Sequence, residues 1–142
     1  MTDRSSSADD RCRRLAEVLA AEIPLAGQMG VGVEAIDSGG LRVSMPLGPN
    51  RNPHQTAFAG SLNALCTLAG WAMTHVLLEE LGLAGATVIR RSSIKYHRPV
   101  RRDPVVACCL PLRERDHAFF AEMVAAKGQG KLDHVVQIDA EP

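Results

Sequence analysis

The residues best placed for chemistry lie where a loop of prolines and asparagines runs into a long stretch without charge. Ala59, Gly60 and Ser61 are small and stand where a helix is predicted to begin. Unpaired backbone N–H groups and the dipole at such a start favour negative charge. A carbonyl oxygen that gains charge as water attacks would be stabilised there, the arrangement of an oxyanion hole. Small residues equally let a helix start pack closely against a strand, and residue types alone leave both readings open.

A second group is cationic: Arg90, Arg91, Lys95, Arg98, Arg101 and Arg102. On a strand, Arg91 and Lys95 share one face while Arg90 takes the other. Such charges beside a pocket suit phosphate groups through charge-assisted bonds, and they suit a solvated strand end as well. Ser92 and Ser93 read as polar pocket groups or as ordinary strand residues.

Other reactive side chains form no signature. Cys12, Cys66, Cys108 and Cys109 include no C-x-x-C pair, which argues against a zinc site or a disulfide framework. Nothing near Cys66 in sequence activates it as a nucleophile. His54 lies in the candidate loop and His75 in the apolar run, where a core or interface role fits it better than that of a base. His97, His117 and His134 lie scattered on or beside predicted strands. No phosphate-binding glycine motif of either common type is present.

The elements that must position these groups follow from periodicity. Leu15, Val18, Leu19 and Ile23 recur at helical spacing after a Ser-rich, loose stretch 1–8, with Asp9 or Asp10 as cap and Pro24 as stop. Val31, Val33 and Ala35, then Leu41, Val43 and Met45, alternate around Asp37-Ser38-Gly39-Gly40 and predict a hairpin. Pro46, Pro49 and Pro53 mark a loop. A long helix starts near Gly60, with Thr56 or Ser61 as caps, and ends at Gly82 and Gly85. Its apolar stripe is Leu62, Leu65, Cys66, Ala69, Met73, Val76 and Leu77.

Four further strands are predicted over Val88–Tyr96, Val105–Leu110, Phe119–Ala126 and Leu132–Ile138. One helix cannot cover both faces of a sheet, so a sheet wrapped around it is the economical α+β architecture. The uncovered face and edge ask for a partner, and a homodimer supplies one.

Composition sets the frame. The 142 residues suffice for one domain, 9–142, with a core of its own. Lys+Arg and Asp+Glu balance at 16 each, so no global field holds nucleic acid or a membrane. The uncharged run from Asn52 to Leu78 contains Asn63, Thr67, Thr74 and His75, which fits a buried helix better than a bilayer span. A polar N-terminus and unpaired cysteines lead to the expectation of a cytoplasmic protein.

The segment from Pro46 to Leu62 (PLGPNRNPHQTAFAGSL), together with Trp71 and Ile94-Lys95-Tyr96-His97-Arg98-Pro99-Val100, resembles the hot-dog thioesterase superfamily. The branch it resembles also occurs as the C-terminal half of some acetyltransferases. The resemblance runs from about Ile23 to Ile138. It implies a hot-dog fold, with a six-stranded antiparallel sheet around one long central helix plus a short N-terminal helix. It also implies hydrolysis of acyl-CoA or acyl-carrier-protein thioesters, with no cofactor and no metal. The assembly would be a homodimer, with a tetramer open.

The resemblance distributes roles over named residues. Asn52 stands where many relatives use an asparagine near the thioester, although a turn residue before Pro53 is an equal reading. Gly60 carries the oxyanion N–H, flanked by Ala59 and Ser61. Phe58 replaces a histidine common in relatives and makes the entrance more apolar. Thr56 suits a cap or pocket wall. Thr67 occupies the helix position where many relatives place a carboxylate base, and threonine orients water but is a poor base. Asn63, one turn earlier, holds a water or is a satisfied buried amide. Arg91, Ser93 and Lys95 complete the expected substrate contacts. An acyl-CoA-binding or regulatory module is the alternative. A dehydratase is disfavoured because no His–acid pair is recognisable.

Overall fold

The computed structural model describes residues 4–140. The chain is an α+β domain whose antiparallel sheet has the order β1-β2-β3-β4. Its strands are β1 (Gly32–Asp37), β2 (Gly40–Met45), β3 (Val105–Cys109) and β4 (Val136–Ile138). The helices are α1 (Arg4–Glu22), α2 (Pro24–Met29), α3 (Ala59–Glu80) and α4 (Glu114–Lys127).

The expected hairpin forms, with Leu41, Val43 and Met45 of β2 facing Cys109, Ala107 and Val105 of β3 in register. All six of these side chains are fully buried and make the sheet's contribution to the core. Gly40 turns the hairpin at φ 118°, and a Cβ there would run into the Cys109 carbonyl. That conformation and that closeness both require glycine.

Helix α3 supplies the other half of the core. Leu62, Leu65, Leu68, Ala69, Ala72, Met73, Val76 and Leu77 are buried at helical spacing, and the helix packs on β2 and β3. Its length and composition would let it cross a bilayer, but here one face is packed on the sheet. The opposite face, from Asn63 through Cys66, Thr67, Gly70 and Thr74, lines a cleft. Two different faces explain a helix that is nearly charge-free without being apolar all round. Helix α1 lies against β1 and is tied to the end of α3 by Arg11–Glu80 at 2.7 Å.

Several expectations are corrected. The sheet has four strands rather than six. Val88–Tyr96 forms no strand: residues 84–100 form a strap with neither helix nor strand. Phe119–Ala126 is helical, inside α4, because Glu114 and Asp116 stand in its first turn, Lys127 in its last, and Gly128 closes it in the left-handed region. Of Leu132–Ile138 only Val136–Ile138 is strand, although the Val135 carbonyl also accepts the Leu110 N–H at 2.9 Å. Helix α1 begins at Arg4 rather than near Asp9, while Met1–Asp3 of the expected loose terminus lie outside the described residues. Pro24 both ends α1 and opens α2, where its missing N–H costs nothing. The long helix is preceded by Phe58 with no side-chain cap, so neither Thr56 nor Ser61 fills that role.

Candidate active site

The loop before α3 is held by its own asparagines. The Asn52 Oδ1 accepts from the backbone N–H groups of His54 (2.9 Å) and Thr56 (3.2 Å), and its Nδ2 donates to the Thr56 hydroxyl at 2.7 Å. Asn52 also donates its backbone N–H to the Thr56 carbonyl at 2.7 Å, closing a tight turn. Both side chains are therefore occupied within the loop. Asn50, which the sequence did not single out, is buried, and its Nδ2 donates to the carbonyls of Met29 (2.9 Å) and Pro46 (2.8 Å). Its own carbonyl accepts the Phe58 N–H at 2.8 Å, which aims the chain into α3.

At the helix start, Leu62 donates to the Phe58 carbonyl at 3.0 Å, and that is the first intrahelical bond. The N–H groups of Ala59, Gly60 and Ser61 precede it and carry no side-chain cap. The Phe58 ring lies over Gly60, where a Cβ would come within 2.6 Å of its Cε1. Tyr96, on the strap, donates its hydroxyl to the Ala59 carbonyl at 3.2 Å. Tyr96 thus joins the helix start to the cleft.

The structure divides the expected site residues into two groups. Asn52, Thr56, Phe58, Ala59, Gly60 and Ser61 form the approach to α3. Asn63, Thr67, Arg91, Ser93 and Lys95 line the cleft, whose volume is about 1970 Å³. At a rise of about 1.5 Å per residue, Asn63 lies roughly 4.5 Å along the axis from Gly60 and Thr67 roughly 10 Å. Asn63 is exposed, whereas the Thr67 hydroxyl donates to the Asn63 carbonyl at 2.9 Å. That leaves the Thr67 oxygen able only to accept.

No carboxylate of α3 reaches this region. Glu79 and Glu80 are about 28 Å from Gly60 along the axis and are engaged by His75 (3.1 Å) and Arg11 (2.7 Å). His75 also stacks on Trp71, with ring centroids 5.2 Å apart, so its contacts are met within α3. Cys66 lies on the cleft face, but burial pushes its thiol up to about 11, which keeps it protonated and unreactive. No metal-binding group of three or more His, Cys, Asp or Glu residues occurs among the described residues.

His134 is the polar group that sequence reading missed. Its Nε2 and the Thr74 hydroxyl are 2.8 Å apart, Thr74 donates to the Gly70 carbonyl at 3.2 Å, and Nδ1 is buried without a partner. A buried N–H without an acceptor costs more than a spare lone pair, so we assign the proton to Nε2. The His134 ring packs against Gly70, where a Cβ would lie in ordinary contact, 3.6 Å from Cδ2. Gly70 is about 15 Å along the axis from Gly60, too far for His134 to serve a carbonyl held at the helix start.

Burial lowers the His134 imidazole below its usual range, against the opposing pull of Asp133. The unfolded chain therefore takes up the proton at a higher pH than the folded one. Stability from this site is fully present above about pH 6.5 and is lost as pH falls through the depressed folded value. The thermal midpoint is expected to fall between about pH 7 and about pH 5, with a smaller fall in His134→Gln. Parallel curves for the two proteins would remove His134 as the cause.

An antiparallel sheet packed on one long helix, with an uncapped helix start near a cleft, is the arrangement of the thioesterase type of hot-dog fold. A family model described as "Putative thioesterase (yiiD_Cterm)" matches residues 12–141, and the chain belongs to that family. It is similar to a protein of unknown function from Chlorobaculum tepidum TLS, with TM-score 0.88 and 28% identity over 95% of this chain and 82% of that one. It is also similar to the "putative thioesterase" from Shewanella oneidensis, with TM-score 0.82 and 28% identity over 94% of this chain and 89% of that one. A Pseudomonas aeruginosa protein described as "Probable Thioesterase" shares the fold, with TM-score 0.69 and 18% identity over 94% and 85% of the two chains.

Proposed function

We propose that the protein hydrolyses acyl thioesters carried on coenzyme A or on a carrier protein. The observation that carries this reading is the run of free N–H groups at Ala59, Gly60 and Ser61, one turn from the cleft. A thioester oxygen set against them gains hydrogen bonds as negative charge develops, in a geometry the folded loop fixes beforehand. Asn52 and Thr56 hold that loop, and Asn63 is near enough to orient the attacking water. Thr67 extends the polar edge of the cleft, and Arg91, Ser93 and Lys95 contact the carrier of the acyl group. The reading includes a homodimer, supported by exposed Val88 and Ile89 on an unpaired strap. It also includes a cytoplasmic setting, which four free cysteines suit.

One observation favours a second reading, an acyl-CoA-binding module without turnover: α3 offers the cleft no carboxylate base. A panel of acyl-CoAs of different chain length, with a thiol-reactive dye reporting released CoA, separates the two. Turnover is expected, reduced about tenfold or more in Asn63→Ala and less in Thr67→Ala. A flat trace for every thioester, accompanied by calorimetric binding of the same ligands, would select the binding module instead.

A further inference from the structure

We infer that Tyr96 is a positioning residue for the oxyanion site, its hydroxyl acting through the Ala59–Gly60 peptide on the N–H that meets the thioester oxygen. This rests on the thioesterase reading and gives a role to a side chain that reading leaves without one.

The Tyr96 hydroxyl donates to the Ala59 carbonyl at 3.2 Å. That carbonyl and the Gly60 N–H are opposite ends of one peptide unit, planar and conjugated. A donor on the oxygen draws electron density toward it and raises the double-bond character of the C–N bond. The N–H then becomes the stronger donor, which is how hydrogen bonds in series reinforce one another. In the regular helical pattern the same carbonyl accepts the Asn63 N–H, and Tyr96 takes its second lone pair. A line of polarisation therefore runs from the phenol to the point where a thioester oxygen gains charge.

Other helix starts are steadied by a side-chain cap, and α3 has none. Tyr96 steadies its first turn from outside the helix instead. The reach is set by the end of the strap, where the Val100 carbonyl accepts the Ala57 N–H at 2.8 Å and Val100 itself is buried. Four residues earlier, Tyr96 lines the cleft with its hydroxyl on the helix start.

A simple tether is the competing role. Val100 already pins the strap here, and Tyr96 is 51% exposed, so water competes for its bond and the contribution to stability is small. At 3.2 Å the bond is long for O–H···O, as catalytic hydrogen bonds without substrate often are. Charge on a bound oxygen would draw it in, since each bond of the series strengthens the next.

Tyr96 is the only tyrosine of the chain, so biosynthetic exchange of tyrosine for 3-fluorotyrosine alters this phenol alone. The test compares the full-length wild type, Tyr96→Phe and the fluorinated protein, using the acyl-CoA that the wild type cleaves fastest. Tyr96→Phe is expected to lower kcat about fivefold with KM within about twofold, a fraction of the about 10²–10³ that a whole oxyanion donor is worth. The amide nitrogen resonance of Gly60 is expected to move upfield in this variant, further than that of Ser61. The thermal midpoint is expected to stay within about 2 °C of wild type. The fluorinated phenol is the stronger donor at about pH 6, and there it is expected to keep or raise kcat and to move the Gly60 resonance the other way.

An unmoved Gly60 resonance or a wild-type kcat in Tyr96→Phe would overturn the proposal. So would a fluorinated protein no faster than Tyr96→Phe. A loss carried by KM, or one accompanied by a fall of about 5 °C or more in thermal midpoint, would make Tyr96 a tether and overturn it as well. A shifted Gly60 resonance in a protein that cleaves no thioester would instead leave the link from phenol to N–H standing and defeat the hydrolase reading.

Discussion

Asn50→Ala is expected to cost about 2–4 kcal/mol of stability, lowering the thermal midpoint by about 10 °C. The side chain is 3% exposed and its amide supplies a donor to each of two carbonyls, Met29 and Pro46. Alanine leaves both acceptors without their partner in a site too enclosed for easy replacement by water. An unsatisfied buried group costs about 1–3 kcal/mol, and total stability of a domain is only about 5–15 kcal/mol. The loss also loosens α2 from the end of β2 and from the turn into α3.

Asn50→Asp sharpens the test, because the shape is kept while the donors are lost. An ionised carboxylate facing two carbonyl oxygens is expected to be worse than alanine at neutral pH and to recover partly on acidification. Chemical denaturation at two pH values measures both effects. A change of less than about 0.5 kcal/mol in Asn50→Ala would show that the two bonds carry little of the loop's rigidity.

Much of this architecture is readable in the residues, for reasons that also explain the failures. The β1–β2 hairpin is legible because one face is buried against α3, so Leu41, Val43 and Met45 must alternate with Arg42 and Ser44. α3 is legible from its length and lack of charge, although its cleft face was folded into the apolar stripe through Cys66. α4 was missed because its helical signals, Glu114, Asp116, Lys127 and Gly128, lie outside the apolar stretch that suggested a strand. The strap has strand-like composition, but a strand also needs neighbours for its backbone, and sequence does not say where those are.

The site divides in the same way. Gly60 and its small neighbours are legible, since helix starts follow local rules. Asn50 and Asn52 look alike in sequence, but only Asn52 finds all its side-chain partners within its own loop. The carbonyl of Met29, which Asn50 needs, is 21 positions away and becomes visible only after folding. The pairing of His134 with Thr74, 60 positions apart, is hidden for the same reason.

Gly60→Val is expected to lower the thioesterase kcat by about 10²–10³, the scale of losing one oxyanion donor, while leaving the fold intact. A Cβ at this position would sit 2.6 Å from Phe58 Cε1 and 3.3 Å from Cζ. Phe58 is 54% exposed, so its ring can swing outward, and the helix itself gains propensity when glycine is replaced. The harm is local: the added methyl groups and the displaced ring crowd the space a carbonyl needs above the Ala59–Ser61 N–H groups. If those groups stabilise charge that exists only in the transition state, kcat falls while KM moves little. Gly60→Ala is expected to be milder, and Phe58→Ala/Gly60→Ala milder still, because the double variant leaves no ring to displace. A Gly60→Val protein with wild-type kcat would place the oxyanion elsewhere and remove the helix start from the mechanism. A fall confined to KM would make it a binding contact only. The double variant decides whether the ring or the missing approach is responsible, since only a clash with Phe58 can be relieved by removing Phe58.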